Sequence, residues 1–386
     1  MRCAYYTLRI GLSQRFGGCK QCRYVMMAAA HGAPPVPIDP LMPASLSLYL
    51  DLTRFLAAFA VLLFHLWPQW FPNFPLPWPG HAAVVVFFVL SGYMIAHAAH
   101  QPGVNLRSYF QHRAARIFSV ALPALLLSIA IAPLAGTSPI HSSGPMDLDP
   151  AAFWRRIAAS VLFIGQSWNL TLAPPYNQPY WSLCYEVWYY VMYGAWTFAP
   201  RHWRLPALLL AALCAGPKIV MLAPVWLLGV AVWHLRASLP QRAAVPFFFG
   251  FMLAGMLLFW FDVGVLLRNQ MLLQWPHAMR NLNESALFVG DYLLGIAVAG
   301  NFLGAAAMAH RLKPLFRLET AIRFAASYSF SIYLYHMPLA VLLWNGMGLR
   351  SPLLMALVLA AMLLVLGMLT EHQLPLYRRM MRRALA

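Results

Sequence analysis

The sequence predicts an all-α, polytopic integral membrane protein with about ten transmembrane helices in one bundle. Of its 386 residues, 61% are hydrophobic and only 10% are charged. Soluble domains usually carry about 25% charged residues. The chain also contains repeated apolar runs close to the length of about 20 residues that a helix needs to cross a bilayer. Composition and run length together therefore exclude a soluble globular protein.

Ten apolar segments, separated by polar, charged or proline-rich stretches, are predicted to be membrane spans. In chain order they are residues 48–66, 81–99, 116–135, 181–199, 203–215, 218–235, 244–261, 286–304, 325–345 and 351–370. The fifth is short for a span. If it is re-entrant instead, the orientation of everything after it is inverted.

The segments outside the spans divide the chain into three predicted regions. Residues 1–46 form an N-terminal tail, 47–372 the membrane-embedded domain, and 373–386 a basic cytoplasmic tail. Met26 and Met27 suggest that the natural start lies downstream of Met1. Between the third and fourth spans, residues 151–168 form an amphipathic segment that we expect to lie on the membrane surface.

The formal net charge of +17 follows the predicted topology. Most of the 27 Lys and Arg residues lie in the even-numbered loops and the two tails. The positive-inside rule therefore places both termini in the cytoplasm and makes membrane lipid, not nucleic acid, the expected partner of the basic segments. Cys19 and Cys22 form a single C-x-x-C pair, which does not predict a metal site or a permanently bound cofactor.

The first span carries Arg54 and His65 in a largely apolar run. Eleven residues are about three helical turns, so both side chains lie on nearly the same face, roughly 16 Å apart along the axis. Ionisable groups within a span usually mark a functional pathway. The alternative is an Arg that reaches the inner interface and an unrelated His at the outer one.

The second span and the loop after it carry two further motifs. Ser91 and Gly92 place a hydroxyl and a glycine in an apolar helix, where glycine permits close approach of a backbone or a ligand. Arg113 and Arg116 lie three residues apart at a predicted membrane boundary, a spacing that suits phosphate binding. The alternative for Ser91 and Gly92 is a small-residue helix contact, and the alternative for Arg113 and Arg116 is an ordinary positive-inside flank.

The fourth and ninth spans add acidic and imidazole groups. Glu186 follows Trp181 inside an apolar run, and a buried carboxylate there needs a partner, for which Arg or His is our candidate. Tyr333 and His336 lie in a hydroxyl-rich stripe of the ninth span. Alternatively, Glu186 reaches the outer headgroup layer and His336 only bonds a neighbouring helix.

Taken in order, these motifs resemble the acyltransferase-3 family of bacterial integral membrane O-acyltransferases. They are Arg-x10-His, Phe-Phe-Val-Leu-Ser-Gly, Arg-x-x-Arg, Trp-Ser-Leu-x-x-Glu and Tyr-Leu-x-His-x-Pro, and the resemblance covers residues 47–372. It implies a stand-alone enzyme of the bacterial inner membrane. Such an enzyme moves an acyl group, usually acetyl, from cytoplasmic acetyl-CoA to a surface carbohydrate or a small hydroxylated acceptor outside.

The same resemblance assigns expected roles to residues. It implicates Arg54 and His65 in catalysis and Arg113 and Arg116 in binding acyl-CoA. We expect Ser91, Trp181, Tyr333 and His336 to line the substrate path. The chain departs from the family pattern where Val187 replaces a common second Glu, which leaves Glu186 as the sole acid there.

Combining these roles gives a mechanistic hypothesis. His65 acts as the general base, Arg54 holds the CoA moiety, and Glu186 orients or charge-stabilises His65. Two other classes of protein remain open at this point. A transporter or flippase for acyl donors or lipid-linked sugars would also carry buried charges, and a structural subunit would tolerate substitution of Arg54 and His65.

Overall fold

In the computed structural model, residues 42–73, 78–135 and 149–384 are described, and every regular element in these ranges is a helix. Most of the predicted N-terminal tail, with Cys19 and Cys22, lies outside the described residues. The α-helices are α1 Ala44–Trp70, α2 Gly80–Ala99, α3 Leu106–Ala135, α4 Pro150–Val161, α5 Trp181–Phe198, α6 Arg201–Ala215, α7 Pro217–Leu235, α8 Gln241–Trp260, α9 Val263–Gln274, α10 Pro276–Arg280, α11 Phe288–Ala307, α12 Glu319–Ala326, α13 Ser329–Val341, α14 Pro352–Leu369 and α15 Leu374–Ala384.

Short 3₁₀ and π segments connect several of these helices. The 3₁₀ segments are Gln178–Tyr180, Asn283–Leu287, Ala309–Leu318 and Glu371–Gln373, and a π-helical turn, Leu342–Gly346, continues α13. The predicted ninth span is thus interrupted at Ser327 and Tyr328, between α12 and α13. Together, the elements confirm the prediction of an all-helical membrane protein.

Among the described helices, seven are long and apolar enough to cross a membrane: α1, α2, α3, α7, α8, α11 and α14. The other three predicted spans are helical but shorter, at α5, α6 and the interrupted α12–α13 pair. Length and composition therefore support a polytopic bundle without establishing ten spans. The predicted fifth span is the 15-residue helix α6, which ends at Gly216.

The end of α6 depends on Gly216. Its φ angle of +84° lies in the region that disfavours residues with a Cβ. A Cβ at this position would also come within 2.5 Å of the backbone nitrogen of Trp168. The chain reverses here against the loop that precedes α5, and α7 begins at Pro217.

The amphipathic segment predicted at residues 151–168 forms a helix only at Pro150–Val161. Asp149 caps its first turn by accepting a hydrogen bond from the backbone N–H of Ala152 at 2.9 Å. The chain leaves the helical conformation where Phe163 adopts a φ angle of +55°. The helix therefore covers only the first part of the predicted amphipathic segment.

Helices α2 and α7 pack with their backbones in contact. A Cβ on Gly92 would lie 2.0 Å from the carbonyl oxygen of Trp226, and one on Gly229 would lie 1.9 Å from that of Val89. Such approach needs glycine on both helices. The expected close approach at Gly92 is confirmed, and it brings the indole N–H of Trp226 to Ser91 at 3.2 Å.

Several arginine-rich segments meet at one end of the bundle, which we call the basic end. At the start of α1, Ser45 donates a hydrogen bond to the carbonyl of Ala309 at 2.6 Å. Arg323 of α12 reaches Asp51 of α1 at 3.1 Å. Helix α15 packs along α3, which carries Arg113 and Arg116. The basic end therefore comprises the start of α1, the first turns of α3, and segments 309–326 and 371–384.

Candidate active site

A cavity of about 430 Å³ runs from the basic end into the bundle. Its wall is formed by parts of α1, α2, α3, α5, α13 and α15. Six of the nine residues predicted from the sequence line it: Arg54, Ser91, Arg113, Arg116, Glu186 and Tyr333. The other three, His65, Trp181 and His336, lie outside its lining, in contacts described below.

Arg116 is held at the cavity by a buried carboxylate. Its guanidinium lies 2.7 Å from Oε1 of Glu371, whose side chain is only 2% exposed. The other oxygen of Glu371 accepts hydrogen bonds from the backbone N–H of Ser331 at 2.9 Å and from its hydroxyl at 2.8 Å. Because Glu371 is fixed from two sides, it fixes the position of Arg116 in turn.

Arg54 is held by a different carboxylate, on its own helix. Its guanidinium lies 2.6 Å from Oδ1 of Asp51, one turn earlier, and the second oxygen of Asp51 binds Arg323. Within the described residues, Nε of Arg54 has no hydrogen-bond partner. Arg54 thus lines the cavity and is held there by Asp51, while its Nε is enclosed by the protein.

Glu186 lies deeper in the cavity and is paired with hydroxyl groups. Its Oε1 accepts a hydrogen bond from Ser91 at 2.6 Å and another from the phenol of Tyr190. Among the described residues, it has no Arg or His partner, so that part of the prediction was wrong. Tyr190 lies four residues later on α5, where its O–H satisfies the carboxylate without a second buried charge.

His65 and His336 form a buried pair. Nε2 of His336 lies 3.2 Å from Nδ1 of His65, and the ring centroids are 5.1 Å apart. Each Nδ1 also faces a backbone carbonyl one turn earlier on its own helix, that of Val61 at 2.9 Å and that of Ile332 at 2.8 Å. A carbonyl oxygen only accepts, so each Nδ1 carries a hydrogen, and that of His65 is shared between the carbonyl of Val61 and Nε2 of His336.

This pairing shows that His336, and not Glu186 as expected, is the side chain that contacts Nδ1 of His65. The lone pair of His336 Nε2 accepts from His65 Nδ1–H, the position that the hypothesis gave to Glu186. Glu186 instead binds Ser91 and Tyr190. His336 is 0% exposed and His65 is 7% exposed, so neither ring faces lipid.

Tyr333 and Trp181 differ in their relation to the cavity. Trp181 is 7% exposed, stacked on His81 at 6.1 Å and edge-on to Phe88 at 6.3 Å, so other rings separate it from the cavity. Tyr333 does line the cavity, and its hydroxyl lies 2.6 Å from that of Ser182. It also donates to the carbonyl of Pro179 at 3.0 Å.

Three residues of this site were not singled out by sequence reasoning. Tyr190 could have been found, since it lies four residues after Glu186 on a predicted helix. Glu371 directly follows the tenth predicted span and was given no role. Arg378 lines the cavity from α15, in a tail that had been interpreted as a lipid contact.

A family model described as an acyltransferase domain, of the acyltransferase-3 type, matches residues 47–372. The chain belongs to the acyltransferase-3 family. The prediction of an acyltransferase enzyme is thereby confirmed, and the transporter and structural-subunit alternatives are not supported.

Individual relatives are distant. The chain is similar to "Acyltransferase MdmB" of Streptomyces mycarofaciens, at 29% identity over 119 residues. The match covers 30% of this chain and 28% of that relative. No solved structure matches the chain.

Proposed function

We propose that this acyltransferase moves an acetyl group from cytoplasmic acetyl-CoA to a hydroxyl of a carbohydrate-type acceptor. The acceptor would lie at or beyond the outer face of the bacterial inner membrane, with both termini of the chain in the cytoplasm. One observation carries the proposal: a single cavity joins arginines at the basic end to the half-buried cluster of Ser91, Glu186 and Tyr190. Acyl-CoA combines phosphates with a long neutral arm, and this cavity offers complementary surfaces for both.

The donor site is assigned to the basic end. Arginine binds phosphate oxygens through paired N–H donors, and the arginines lining the cavity supply such donors. The pantetheine arm would extend inward past Ser91. Arg54 and His65 lie eleven residues apart on α1, or roughly 16 Å of helix rise, which is comparable to the reach of that arm.

The transfer step is assigned to the histidine pair. Nε2 of His65 would take the proton of the acceptor hydroxyl as its oxygen attacks the thioester carbonyl. The carbon–sulfur bond then breaks, CoA leaves as the thiolate, and the imidazolium returns the proton to the sulfur. His336 positions His65 by accepting from its Nδ1–H, which keeps the lone pair on Nε2.

A covalent route is a second candidate, favoured by the 2.6 Å contact between Ser91 and Glu186. Here Glu186 would take the serine proton as the serine oxygen attacks the thioester carbonyl; the carbon–sulfur bond breaks and CoA leaves as the thiol with that proton. The acceptor hydroxyl would then attack the acetyl-serine, lose its proton to Glu186 and take the acetyl group, and that proton would return to the released Ser91 oxygen. Ser91→Ala distinguishes the routes. If transfer is direct, the Ser91→Ala variant remains active. If transfer is covalent, the variant is inactive, and peptide mass spectrometry of the wild-type protein detects an acetyl group on Ser91.

The proposed function is tested in vitro and in cells. Purified protein in lipid nanodiscs should release CoA thiol from acetyl-CoA when a hydroxylated acceptor is supplied. Surface glycans from cells with and without the gene should differ by acetyl groups in mass spectrometry. Normal glycan acetylation without the gene, together with no thiol release by the purified protein, would overturn the proposal.

A further inference from the structure

We propose that Arg378, on the C-terminal helix α15, completes a phosphate-binding pair with Arg113 at the mouth of the cavity. The inference rests on the proposed function, because it takes the phosphates of CoA as the ligand. It departs from the sequence-based expectation that Arg113 and Arg116 bind the donor together. It also gives the basic tail a role other than lipid contact.

The first support is the way in which charge is distributed among the four arginines that line the cavity. Two of them are matched by carboxylates, Arg54 by Asp51 and Arg116 by Glu371. In the described part of the chain, neither Arg113 nor Arg378 forms an ion pair with an acidic side chain. The uncompensated positive charge of the cavity is therefore concentrated at these two residues.

The second support is that like charges are held close together. Arg378 lies within electrostatic range of Arg113, Arg116 and Arg382, and His112 lies within range of Arg113 and Arg378. Such repulsion destabilises the free protein and is relieved when an anion binds. Two neighbouring arginines without carboxylate partners therefore fit a ligand that carries more than one negative charge.

The third support is the packing that places Arg378 there. Helix α15 lies along α3, so its residues approach the turn that carries His112 and Arg113. Arg378 faces the cavity, whereas its neighbour Arg379 does not line it. The segment matched by the family model ends at residue 372, so Arg378 is a feature of this chain beyond the matched segment.

The test compares Arg378→Ala with Arg379→Ala, a matched control that removes the same charge one residue away. CoA affinity is measured by calorimetry in nanodiscs of neutral phosphatidylcholine. Because Arg378→Ala removes charge-assisted hydrogen bonds to the phosphates, it should weaken CoA binding about tenfold. The CoA affinity of Arg379→Ala should stay within about twofold of the wild-type value. Arg378→Lys should recover part of the affinity, because it restores the charge without the paired donors.

The possible outcomes separate this inference from the proposed function. If wild-type protein binds CoA and the two alanine variants bind it equally, the Arg378 assignment is overturned and the proposed function stands. If wild-type protein does not bind CoA, the proposed donor fails and the inference fails with it. If Arg378→Ala changes only the binding of the protein to vesicles containing phosphatidylglycerol, Arg378 contacts lipid headgroups and the inference is again overturned.

Discussion

Helix α1 carries two of the predicted site residues, Arg54 and His65, and their surroundings have little in common. Arg54, at the basic end, faces an open cavity and is matched by Asp51, which also binds Arg323. His65, about three turns further on, is buried against His336 and a backbone carbonyl. One region is therefore charged and open, and the other is buried and held by carbonyls and a second imidazole.

The difference suggests a division of labour along one helix. Permanent cations beside an open cavity suit the binding of a phosphorylated donor, because ion pairs keep them in place without filling the cavity. A buried imidazole whose Nδ1 is held by acceptors suits proton transfer, because its other ring nitrogen can take up and return a proton. If this division is correct, substitutions near Arg54 should impair donor binding, and substitutions at the histidine pair should impair the transfer step.

The largest expected effect is at the histidine pair. His65→Ala removes the proposed base, and the rate of acyl transfer should fall about a thousandfold while the amount of protein in the membrane stays normal. Initial rates of thiol release and immunoblots of membranes measure the two quantities. His202→Ala, a substitution outside the cavity lining, serves as the control. Wild-type-like transfer by His65→Ala would remove this residue from the mechanism.

The next effect concerns the carboxylate that holds Arg116. Glu371→Ala leaves Arg116 without its partner and exposes a buried Ser331 N–H to an empty site, which should cost about 3 kcal/mol of stability. The thermal unfolding midpoint in detergent should fall clearly. Glu319→Ala breaks an exposed pair with Arg323 and should leave the midpoint nearly unchanged. Equal midpoints for the two variants would contradict a fixed Glu371–Arg116 contact.

The smallest effect concerns the packing that positions Ser91 between the two regions. Gly92→Ala would place a Cβ 2.0 Å from the carbonyl oxygen of Trp226, so α2 and α7 must separate. We expect a loss of about 1–3 kcal/mol, read as a lower unfolding midpoint. Gly250→Ala is the matched control, since a Cβ there meets nothing within 4 Å. Similar midpoints for both variants would mean that α2 and α7 are less tightly packed than described.

Sequence alone could predict which segments are helical, because apolar runs and their boundaries are local features. It could also predict that Gly92 permits close helix approach and that Arg54 and His65 share a face. The residues that contact His65 and Arg116 were harder to predict. His336 lies 271 residues after His65, and Glu371 is far from Arg116 in the chain, so no local spacing joins them.

The partner of Glu186 illustrates a different limit. Because burying an unpaired carboxylate is costly, we predicted an Arg or His partner for it. A carboxylate is also satisfied by hydroxyl donors, however, and Ser91 and Tyr190 supply them. The need to satisfy a buried carboxylate therefore predicts that it has a partner, but not which kind of hydrogen-bond donor that partner is. Likewise, the basic tail was expected to contact lipid, and only the packing of α15 on α3 brings Arg378 to the cavity.

The most direct test of the division along α1 is the affinity for CoA of His65→Ala compared with that of Arg113→Ala, measured by calorimetry in nanodiscs. If donor binding and proton transfer are separate, His65→Ala binds CoA within about twofold of wild type, and Arg113→Ala binds about tenfold more weakly. If His65→Ala loses CoA binding as strongly as Arg113→Ala, the two regions act as one donor site and the account is contradicted.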